Sequence, residues 1–327
     1  MSISVLGIDI AKATFALAAL CEGKLRHRSF DNTPSGFTQL LAWLDKQGIE
    51  KPLVAMEATG IYYEALATFL HEHGLTVFVV NPAQIKHFAD AKLVRGKTDR
   101  ADAAVIARFL HAHFADLQRW HPLPAAQRLL RDLTRRLTAL QDLLHQESNR
   151  LESAGDDIVR LSIEAVMKAL NEQIKAIEAR IRQHIDDDPD LRREAALLHS
   201  IPAVGTKTST LFIAEFRLAR FKNAREAAAF AGLSPAQYES GSSVRGRTRI
   251  SKTGASRLRA ALYFPAIVAA HHNPILMAFY QRLLASGPAK KAAICAVMRK
   301  LIHIAFGILK SGKPFNPQFL QNEFKNA

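Results

Sequence analysis

Four carboxylates lie at the ends of apolar runs or on one face of a predicted helix, where folding could bring their side chains together. Asp9 ends the apolar run VLGIDIAK, and Glu57 ends a later one, LVAMEATG. Asp99 and Asp102 are three residues apart in KTDRADAAVIARF, so on a helix they project from one face. Mg²⁺ prefers oxygen ligands, and two such ions can stabilise the attacking and leaving oxygens of a phosphoryl transfer. The set therefore predicts a metal-dependent phosphoryl-transfer site, although each acid alone could be a solvated residue or a helix cap.

The elements that must position these acids form a mixed α/β pattern. Short apolar strands are predicted at 2–10, 13–22 and 24–32, and then a helix at 35–46, a strand at 53–58, a helix at 62–72, a strand at 76–81 and a helix at 98–114. The order is βββαβαβα. Asp9 falls on the first strand, Glu57 on the fourth and the other two acids on the last helix, within a domain predicted to span residues 1–124.

Two heptad repeats follow this domain. They are formed by Leu130, Leu133, Leu137, Leu140 and Leu144, and by Ile163, Met167, Leu170, Ile174, Ile177 and Ile181. Residues 125–190 are therefore predicted to form a coiled-coil helical hairpin, in which a helix over 161–185 would be roughly 37 Å long. Heptads of this kind are compatible with an internal hairpin and with pairing between chains.

The positive charge of the chain lies in a predicted third domain, residues 191–327. This region holds 21 Lys and Arg against 5 Asp and Glu, in a chain whose net charge is +14. Such a balance indicates a polyanionic partner. Its first stretch, LLHSIPAVGTKTSTLFIAEF, resembles a helix-hairpin-helix motif that presents backbone N–H groups near Gly205, Thr206 and Lys207 to a DNA phosphate. An ordinary helical turn is the alternative.

Three serines, Ser240, Ser242 and Ser243, lie in a Gly/Ser loop beside a basic run. Its cations could neutralise successive phosphates, or they could form a solvated surface: Arg245, Arg247, Arg249, Lys252, Arg257 and Arg259. A serine hydroxyl is a weak nucleophile without a base or a metal, and no GxSxG elbow is present. We hypothesise that one serine meets the acidic cluster's metal ions and attacks a phosphate; the spacing alone does not choose among the three.

Other features narrow the class of protein. Cys21 and Cys295 lack the spacing of a zinc site or a disulfide framework. No run of about 18 uncharged apolar residues occurs, so the chain is predicted to be cytoplasmic, associated with the nucleoid during activity and without a membrane partner. Aromatic residues such as Tyr238, Tyr263, Phe264 and Phe279 are interpreted as core residues, with base stacking as the alternative.

The whole chain resembles the DEDD-type insertion-sequence transposases related to the Piv invertases, a group described as bridge-RNA-guided serine recombinases. The motifs GIDIAK, EATG, KTDRADA, SIPAVGTKTS, FAGLSP, YESGSSVRG and RKL stand where that family has them. One departure is Ala203 in SIPAVG, where a glycine is frequent. The resemblance implies a RuvC-like domain of the RNase H fold, a coiled-coil hairpin and a mostly helical, basic C-terminal transposase domain.

The same resemblance implies roles for particular residues. Asp9, Glu57, Asp99 and Asp102 would be the four metal-binding acids, and Ser240 the nucleophile that forms a covalent phosphoserine. The expected cofactor is Mg²⁺, two ions, with Mn²⁺ as a substitute. The expected partners are donor and target DNA, a noncoding bridge RNA, and further copies of the chain, as a dimer that assembles into a tetramer.

Two other functions stay open from the sequence. A RuvC-like structure-specific endonuclease would use the same acids with metal-activated water and would never become attached to DNA. A non-catalytic nucleic-acid-binding protein would use only the basic region as a clamp, and the four acids argue against it.

Overall fold

The computed structural model describes residues 3–58, 60–93, 98–236, 249–287 and 289–318, and the backbone of 239–240 and 244–245. It divides into two compact units, Met1–Pro122 and Leu123–Ala327. The predicted three-domain division, at 124 and 190, therefore has its first boundary close to the junction of the units. A separate domain for residues 125–190 stays a prediction.

The first unit is a five-stranded sheet with helices on both faces. Its elements are β1 (Val5–Ile10), β2 (Thr14–Cys21), β3 (Lys24–Asp31), α1 (Pro34–Lys46), β4 (Leu53–Glu57), α2 (Tyr63–Glu72), β5 (Thr76–Val80), α3 (Pro82–Ala91) and α4 (Asp99–His113). The strand order is β3-β2-β1-β4-β5; β1, β2 and β3 are antiparallel neighbours, and β1, β4 and β5 run parallel. The predicted mixed α/β class is confirmed.

Strand periodicity explains the two layers of this unit. Alternate residues of β1, such as Leu6 and Ile8, pack with α1 and α2 on one face of the sheet. The opposite face, lined by small residues such as Ala16 and Ala18, packs against α4. Gly7 lies on this second face, and a Cβ there would overlap the backbone of α4. The helix therefore approaches β1 more closely than any side chain at position 7 would permit.

The second unit is mostly helical, as predicted. Its elements are α5 (Ala125–Ser153), α6 (Asp157–Asp187), α7 (Pro189–His199), α8 (Thr206–Glu215), a 3₁₀ turn (Leu218–Arg220), α9 (Ala224–Phe230), β6 (Pro235–Ala236), β7 (Glu239–Ser240), β8 (Val244–Arg245), β9 (Arg249–Ile250), α10 (Ser256–Ala261), α11 (Tyr263–His272), α12 (Pro274–Ala285) and α13 (Lys290–Ser311). One core, built from α5 to α13, holds these helices together.

The helices α5 and α6 form an antiparallel hairpin. Near its base, His184 Nε2 lies 2.8 Å from the carbonyl oxygen of Ala126. Near its tip, the Arg160 guanidinium donates to the Ala154 carbonyl at 3.1 Å. The heptad residues are buried or half-buried along both helices. The hairpin is thus observed, while coiled-coil packing within it stays a prediction.

The helix α13 is long and apolar enough to span a membrane by length and composition alone. Its residues Val297, Leu301 and Ile302 are fully or almost fully buried in the core of the second unit. This burial is what a central core helix requires.

Candidate active site

The four acids lie at one edge of the first unit. Asp9 is the penultimate residue of β1, and Glu57 is the last residue of β4. Since β1 and β4 are parallel neighbours, their carboxyl ends meet at the same sheet edge. The helix α4, packed on β1, begins at Asp99 and carries Asp102 in its first turn.

The start of α4 is fixed by its cap. The Thr98 hydroxyl accepts a hydrogen bond from the Ala101 N–H at 3.2 Å, and the Asp102 N–H donates to the Thr98 carbonyl at 2.8 Å. A threonine at this position satisfies N–H groups that the helix itself leaves unbonded. The cap therefore fixes where α4 begins, and with it the position of the first turn that carries both acids.

The acids act on one another electrostatically. The pKa of the Asp9 carboxyl is raised from its ordinary value of 3.8 to about 6, first by burial and then by the charges of Asp102, Asp99 and Glu57. A backbone hydrogen bond with Ile10 opposes this increase. Like charges held together in a partly buried site disfavour ionisation. A bound cation would remove this repulsion.

The donors suit a hard divalent cation, since all four are carboxylates. Their present placement is looser than a formed metal centre. Among the residues that the structure describes, no three His, Cys, Asp or Glu side chains could jointly hold a metal ion. The structure thus brings the acids into electrostatic contact, and metal binding by them stays a prediction.

Two positioning residues were not predicted from the sequence. The Asn32 side-chain amide donates to the carbonyls of Ala11 at 3.1 Å and Tyr62 at 3.2 Å. It thereby connects the segment after β1, which carries Asp9, to the segment after β4, which carries Glu57. Gly7 is the second such residue, and it did have a sequence signal, because glycine inside an apolar strand often marks a close backbone approach.

The predicted nucleophile lies on a short hairpin of the second unit. The backbone of Ser240 in β7 pairs with Val244 in β8, in antiparallel register. The Ser240 and Arg245 side chains, and Ser242, Ser243 and Arg247 entirely, lie outside the described residues. The catalytic role of Ser240 and the phosphate contacts of these arginines therefore stay predictions.

The predicted DNA-binding turn connects α7 to α8. Val204 N–H donates to the Ile201 carbonyl at 3.0 Å, and Ala203 between them has φ of +82°. A positive φ is the conformation that glycine adopts most readily at this turn position. Gly205 precedes the first turn of α8, in which Thr206 and Lys207 are exposed. Contact of these three residues with DNA stays a prediction.

The described cations of the basic run have two different environments. Arg249 and Lys252 are exposed. Arg257 instead lies 3.4 Å from the Glu215 carboxylate and donates to the Thr138 hydroxyl at 2.9 Å.

Arg259 is also engaged within the protein. It donates to the carbonyls of Ala231 at 3.0 Å and Lys252 at 3.2 Å. The structure therefore gives Arg257 and Arg259 intramolecular partners, and their predicted contacts with nucleic acid stay untested.

One of the aromatic residues that were predicted to lie in the core is exposed. Phe264 on α11 is 74% exposed, and its ring meets that of Tyr263 edge-on, with centroids 5.6 Å apart. The core interpretation is therefore wrong for Phe264, whose helix faces solvent at this point. Phe279 is half-buried at the edge of the core, and Tyr238 lies outside the described residues.

The chain is similar in sequence to transposase families and to a pilin gene-inverting protein. A DEDD transposase family model of the IS110 type matches residues 6–159, and a model described as "Transposase IS116/IS110/IS902 family" matches residues 195–281. The pilin gene-inverting protein of Moraxella bovis is 31% identical over 97% of this chain and 98% of its own length. An uncharacterised 43.6 kDa protein of insertion element IS110 from Streptomyces coelicolor is 28% identical over 57% of this chain and 44% of its own.

One solved structure is also similar over part of the chain. It is T. thermophilus RuvC in complex with a Holliday junction substrate, 19% identical over 36% of this chain and 99% of that chain. Its TM-score is 0.28, which is too low to bear on fold or ligand.

The matches to two transposase family models, and to relatives over nearly the full length, show that the chain is a transposase, a class of enzyme that cleaves and exchanges DNA strands. The chain belongs to the IS110 family of DEDD transposases, and the pilin gene-inverting proteins are its relatives over nearly the full length.

Proposed function

We propose that this transposase carries out RNA-guided strand exchange between donor and target DNA, with Mg²⁺ at the four acids and Ser240 as the nucleophile. The coupled Asp9 carboxyl is the observation that supports this proposal most directly. The four carboxylates come from two adjacent strands and one helix, and the charges of the other three raise the pKa of the partly buried Asp9. Divalent cations would relieve this repulsion. Asp9, Glu57, Asp99 and Asp102 would be the ligands.

The order of the first unit's strands suits this chemistry. Three antiparallel strands followed by two parallel ones is the arrangement expected of an RNase H-like domain, and we assign the unit to the RuvC-like branch as part of the proposal. Bound divalent ions would neutralise the scissile phosphate and favour departure of the leaving oxygen. The protein's own contribution is orientation. Asn32 ties the segments after β1 and β4, and the Thr98 cap fixes the first turn of α4.

The serine step exchanges one phosphoester bond for another. Ser240 Oγ attacks the scissile phosphorus, so an Oγ–P bond forms while one P–O bond of the DNA strand breaks. The serine proton is lost, and the leaving oxygen takes up a proton to become a hydroxyl. A hydroxyl from the other DNA then attacks the phosphoserine, and serine recovers its proton. Because each bond broken is replaced, no external energy source is required.

The proposed RNA partner fits the charge of the second unit. In RNA-guided systems base pairing supplies specificity, while protein cations hold sugar-phosphate backbones. Residues 191–327 contain 21 Lys and Arg against 5 Asp and Glu, which suits backbone contacts with both DNA and RNA. If the proposal holds, protein freed of RNA exchanges no strands, and adding the noncoding RNA of its own element restores exchange.

A dimer that assembles into a tetramer is proposed through the α5–α6 hairpin. Apolar side chains near its tip are exposed, including Ile158 at 79% and Leu161 at 66%. Exposed apolar clusters of this kind mark interaction sites. A second copy of the hairpin would cover them. The assembled enzyme is proposed to work in the cytoplasm, at the nucleoid.

Cleavage by acid-site variants tests the proposal. We expect Asp9→Ala and Glu57→Ala to lose Mg²⁺-dependent cleavage of DNA bearing the element junction, with nucleic-acid binding retained. Asp45→Ala is the matched control, because Asp45 is an exposed carboxylate on α1 away from the site. Cleavage retained in both site variants would refute the metal-site assignment.

A structure-specific endonuclease using metal-activated water is the second candidate, favoured by the same acids. The two functions differ at Ser240. In the endonuclease, Ser240→Ala would still cleave DNA, and no protein would become attached to the product. In the recombinase, the same variant neither cleaves nor becomes attached. A non-catalytic clamp would bind DNA or RNA with steep salt dependence and give no Mg²⁺-dependent product.

A further inference from the structure

The loop that carries Ser240 leaves and re-enters the second unit through two segments, 230–236 and 249–255, which together form the neck of the loop. Leu233, in the first segment, is almost fully buried, and Leu258, just after the second, is fully buried. Within the loop, β6 pairs with β9 and β7 pairs with β8, and each of these strands has two residues. Strands this short are marginally stable alone, so the position of Ser240 depends on how the neck is held.

Backbone hydrogen bonds and a close approach join the two segments of the neck. Ser251 N–H donates to the Ser234 carbonyl at 2.9 Å, and Lys252 N–H donates to the Gly232 carbonyl at 3.1 Å. Gly232 has φ of +70°, and a Cβ there would lie 2.9 Å from the Lys252 carbonyl carbon and would overlap the Arg259 guanidinium. Glycine at this position therefore supplies the positive φ and leaves room for the arginine.

The Arg259 side chain bridges the two segments. Its Nη1 donates to the Ala231 carbonyl at 3.0 Å, before the loop, and to the Lys252 carbonyl at 3.2 Å, after it. Arg259 lies on α10, directly after Leu258, whose side chain is part of the core of the second unit. One guanidinium nitrogen thus connects both ends of the serine loop to a helix that is fixed in the core.

The helix α10 is itself held by a second arginine. Arg257 lies 3.4 Å from the Glu215 carboxylate on α8 and donates to the Thr138 hydroxyl on α5 at 2.9 Å. Residues two apart on a helix project about 200° apart around its axis. Arg257 therefore fixes α10 to its neighbouring helices, while Arg259 holds the neck from the other side of α10.

We propose that Arg259 is a positioning residue for strand exchange, which fixes the neck of the serine loop and thereby the place from which Ser240 attacks. The inference rests on the proposed function in taking Ser240 as the nucleophile. In it, Arg259 acts on the protein's own backbone, and not on a phosphate as the basic run had suggested. A misplacement of about 1 Å can cost a reaction roughly 100-fold in rate, so loss of Arg259 should lower the rate of attack more than the affinity for DNA.

The rate of adduct formation separates positioning from phosphate binding. Full-length protein with Mg²⁺ and its co-purified RNA is mixed with DNA carrying the element junction and a target. The covalent adduct is followed over time at increasing DNA concentration, which gives a rate at saturation and a half-saturating concentration. Affinity for the same DNA is measured separately in EDTA, from about 50 to about 200 mM salt. The variants are Arg259→Gln and Gly232→Ala, whose added methyl would displace Arg259 from the neck.

Two further variants complete the comparison. Arg182→Gln is the matched control, because Arg182 is an exposed arginine on α6 of the same unit, outside the basic residues 191–327. Arg259→Lys tests rescue, since both bonds to the neck come from one nitrogen and an ammonium group also donates from one nitrogen. Circular dichroism confirms that each variant is folded at the assay temperature. If Arg259→Gln is not, Arg259→Lys takes its place in the comparison.

Hydrogen exchange measures the neck without any reaction. The amides of Ser251 and Lys252 donate across the neck, so their exchange reports how firmly the two segments are joined. We expect faster exchange at both amides in Arg259→Gln, with the buried amides of α13 unchanged. Unchanged exchange at both amides would show that Arg259 does not hold the neck, and would overturn the inference.

We expect Arg259→Gln and Gly232→Ala to lower the rate at saturating DNA by at least about tenfold, with the half-saturating concentration and the salt slope equal to those of wild type. Arg259→Lys should lie between wild type and Arg259→Gln, and Arg182→Gln should match wild type.

A wild-type rate at saturating DNA in Arg259→Gln would overturn the inference. So would a defect that saturating DNA restores, together with a salt slope on duplex DNA that is shallower by about 0.9, because a lost phosphate contact has that effect. Both results leave the proposed recombinase intact, since wild type still forms the adduct. Absence of any adduct in wild type would instead contradict the proposed function, and this inference with it.

Discussion

Replacing Asp9 by Asn should stabilise the first unit in the absence of metal. The substitution keeps the size of the side chain and removes a charge that burial, Asp102, Asp99 and Glu57 all disfavour. Since the folded-state pKa is raised, the proton on Asp9 stabilises the folded protein, and this contribution is complete below the unfolded value of 3.8. It is lost as the pH rises through about 6. The variant should therefore gain its advantage over wild type at neutral and alkaline pH.

The expected size follows from the shift in pKa. A rise from 3.8 to about 6 corresponds to an upper limit of about 3 kcal/mol, at about 1.4 kcal/mol per unit. Asp9 is partly exposed, so solvent screening lowers this limit, and we expect about 1–2 kcal/mol at pH 8. Little difference should remain at pH 4. For a unit of this size the gain corresponds to a melting shift of roughly 5 °C.

Tryptophan fluorescence of the full chain can report this unit alone. Both tryptophans, Trp43 and Trp120, lie in the first unit. Unfolding is followed in EDTA at pH 8 and pH 4, for Asp9→Asn and for the exposed-site control Asp45→Asn. Adding Mg²⁺ at pH 8 should stabilise wild type more than Asp9→Asn, because only the wild-type site has its full set of ligands. A variant that is no more stable than wild type at pH 8, or equally stabilised at pH 4, would refute the reasoning.

Three further predictions concern one position in the first unit and two places in the second unit. Gly7→Ala should lower the melting temperature of the first unit by several degrees, because the added methyl overlaps the backbone of α4; tryptophan fluorescence measures it. Ala203→Gly should stabilise the second unit by about 1 kcal/mol by relieving a positive φ, measured by circular dichroism. The double variant Ile158→Ser, Leu161→Ser should shift the chain to a smaller oligomer in analytical ultracentrifugation; an unchanged mass would exclude the hairpin tip as an interface.

Local pattern was sufficient to predict most elements of the fold. Alternating apolar residues predicted strands at 13–22 and 24–32, and the structure has them at Thr14–Cys21 and Lys24–Asp31. The heptads predicted the α5–α6 hairpin. The second helix of the hairpin, predicted to run to residue 185, ends at Asp187 as α6, and Asp188 caps α7. Such features depend on neighbours in sequence, which is why they were predictable.

Features that depend on distant contacts were not predictable in the same way. The partner of Arg257 is Glu215, and the carbonyls that Asn32 bonds follow two different strands. Nothing near these residues in sequence identifies such partners. The exposure of Phe264 was likewise missed, because an aromatic residue in an apolar helix indicates a core until the packing of its neighbours is known. The acidic residues of the site could be identified in the sequence because they lie at the ends of predicted elements. That their charges act on one another could be seen only once the register of the sheet was known.

A denaturing gel for protein–DNA adducts tests the central claim most directly. The protein is incubated with Mg²⁺, its co-purified RNA, and DNA carrying the element junction together with a target. The account predicts a covalent adduct for wild type that Ser240→Ala removes, while Ser242→Ala and Ser243→Ala retain it. Cleaved DNA without any adduct, or an adduct that persists in Ser240→Ala, would contradict the account.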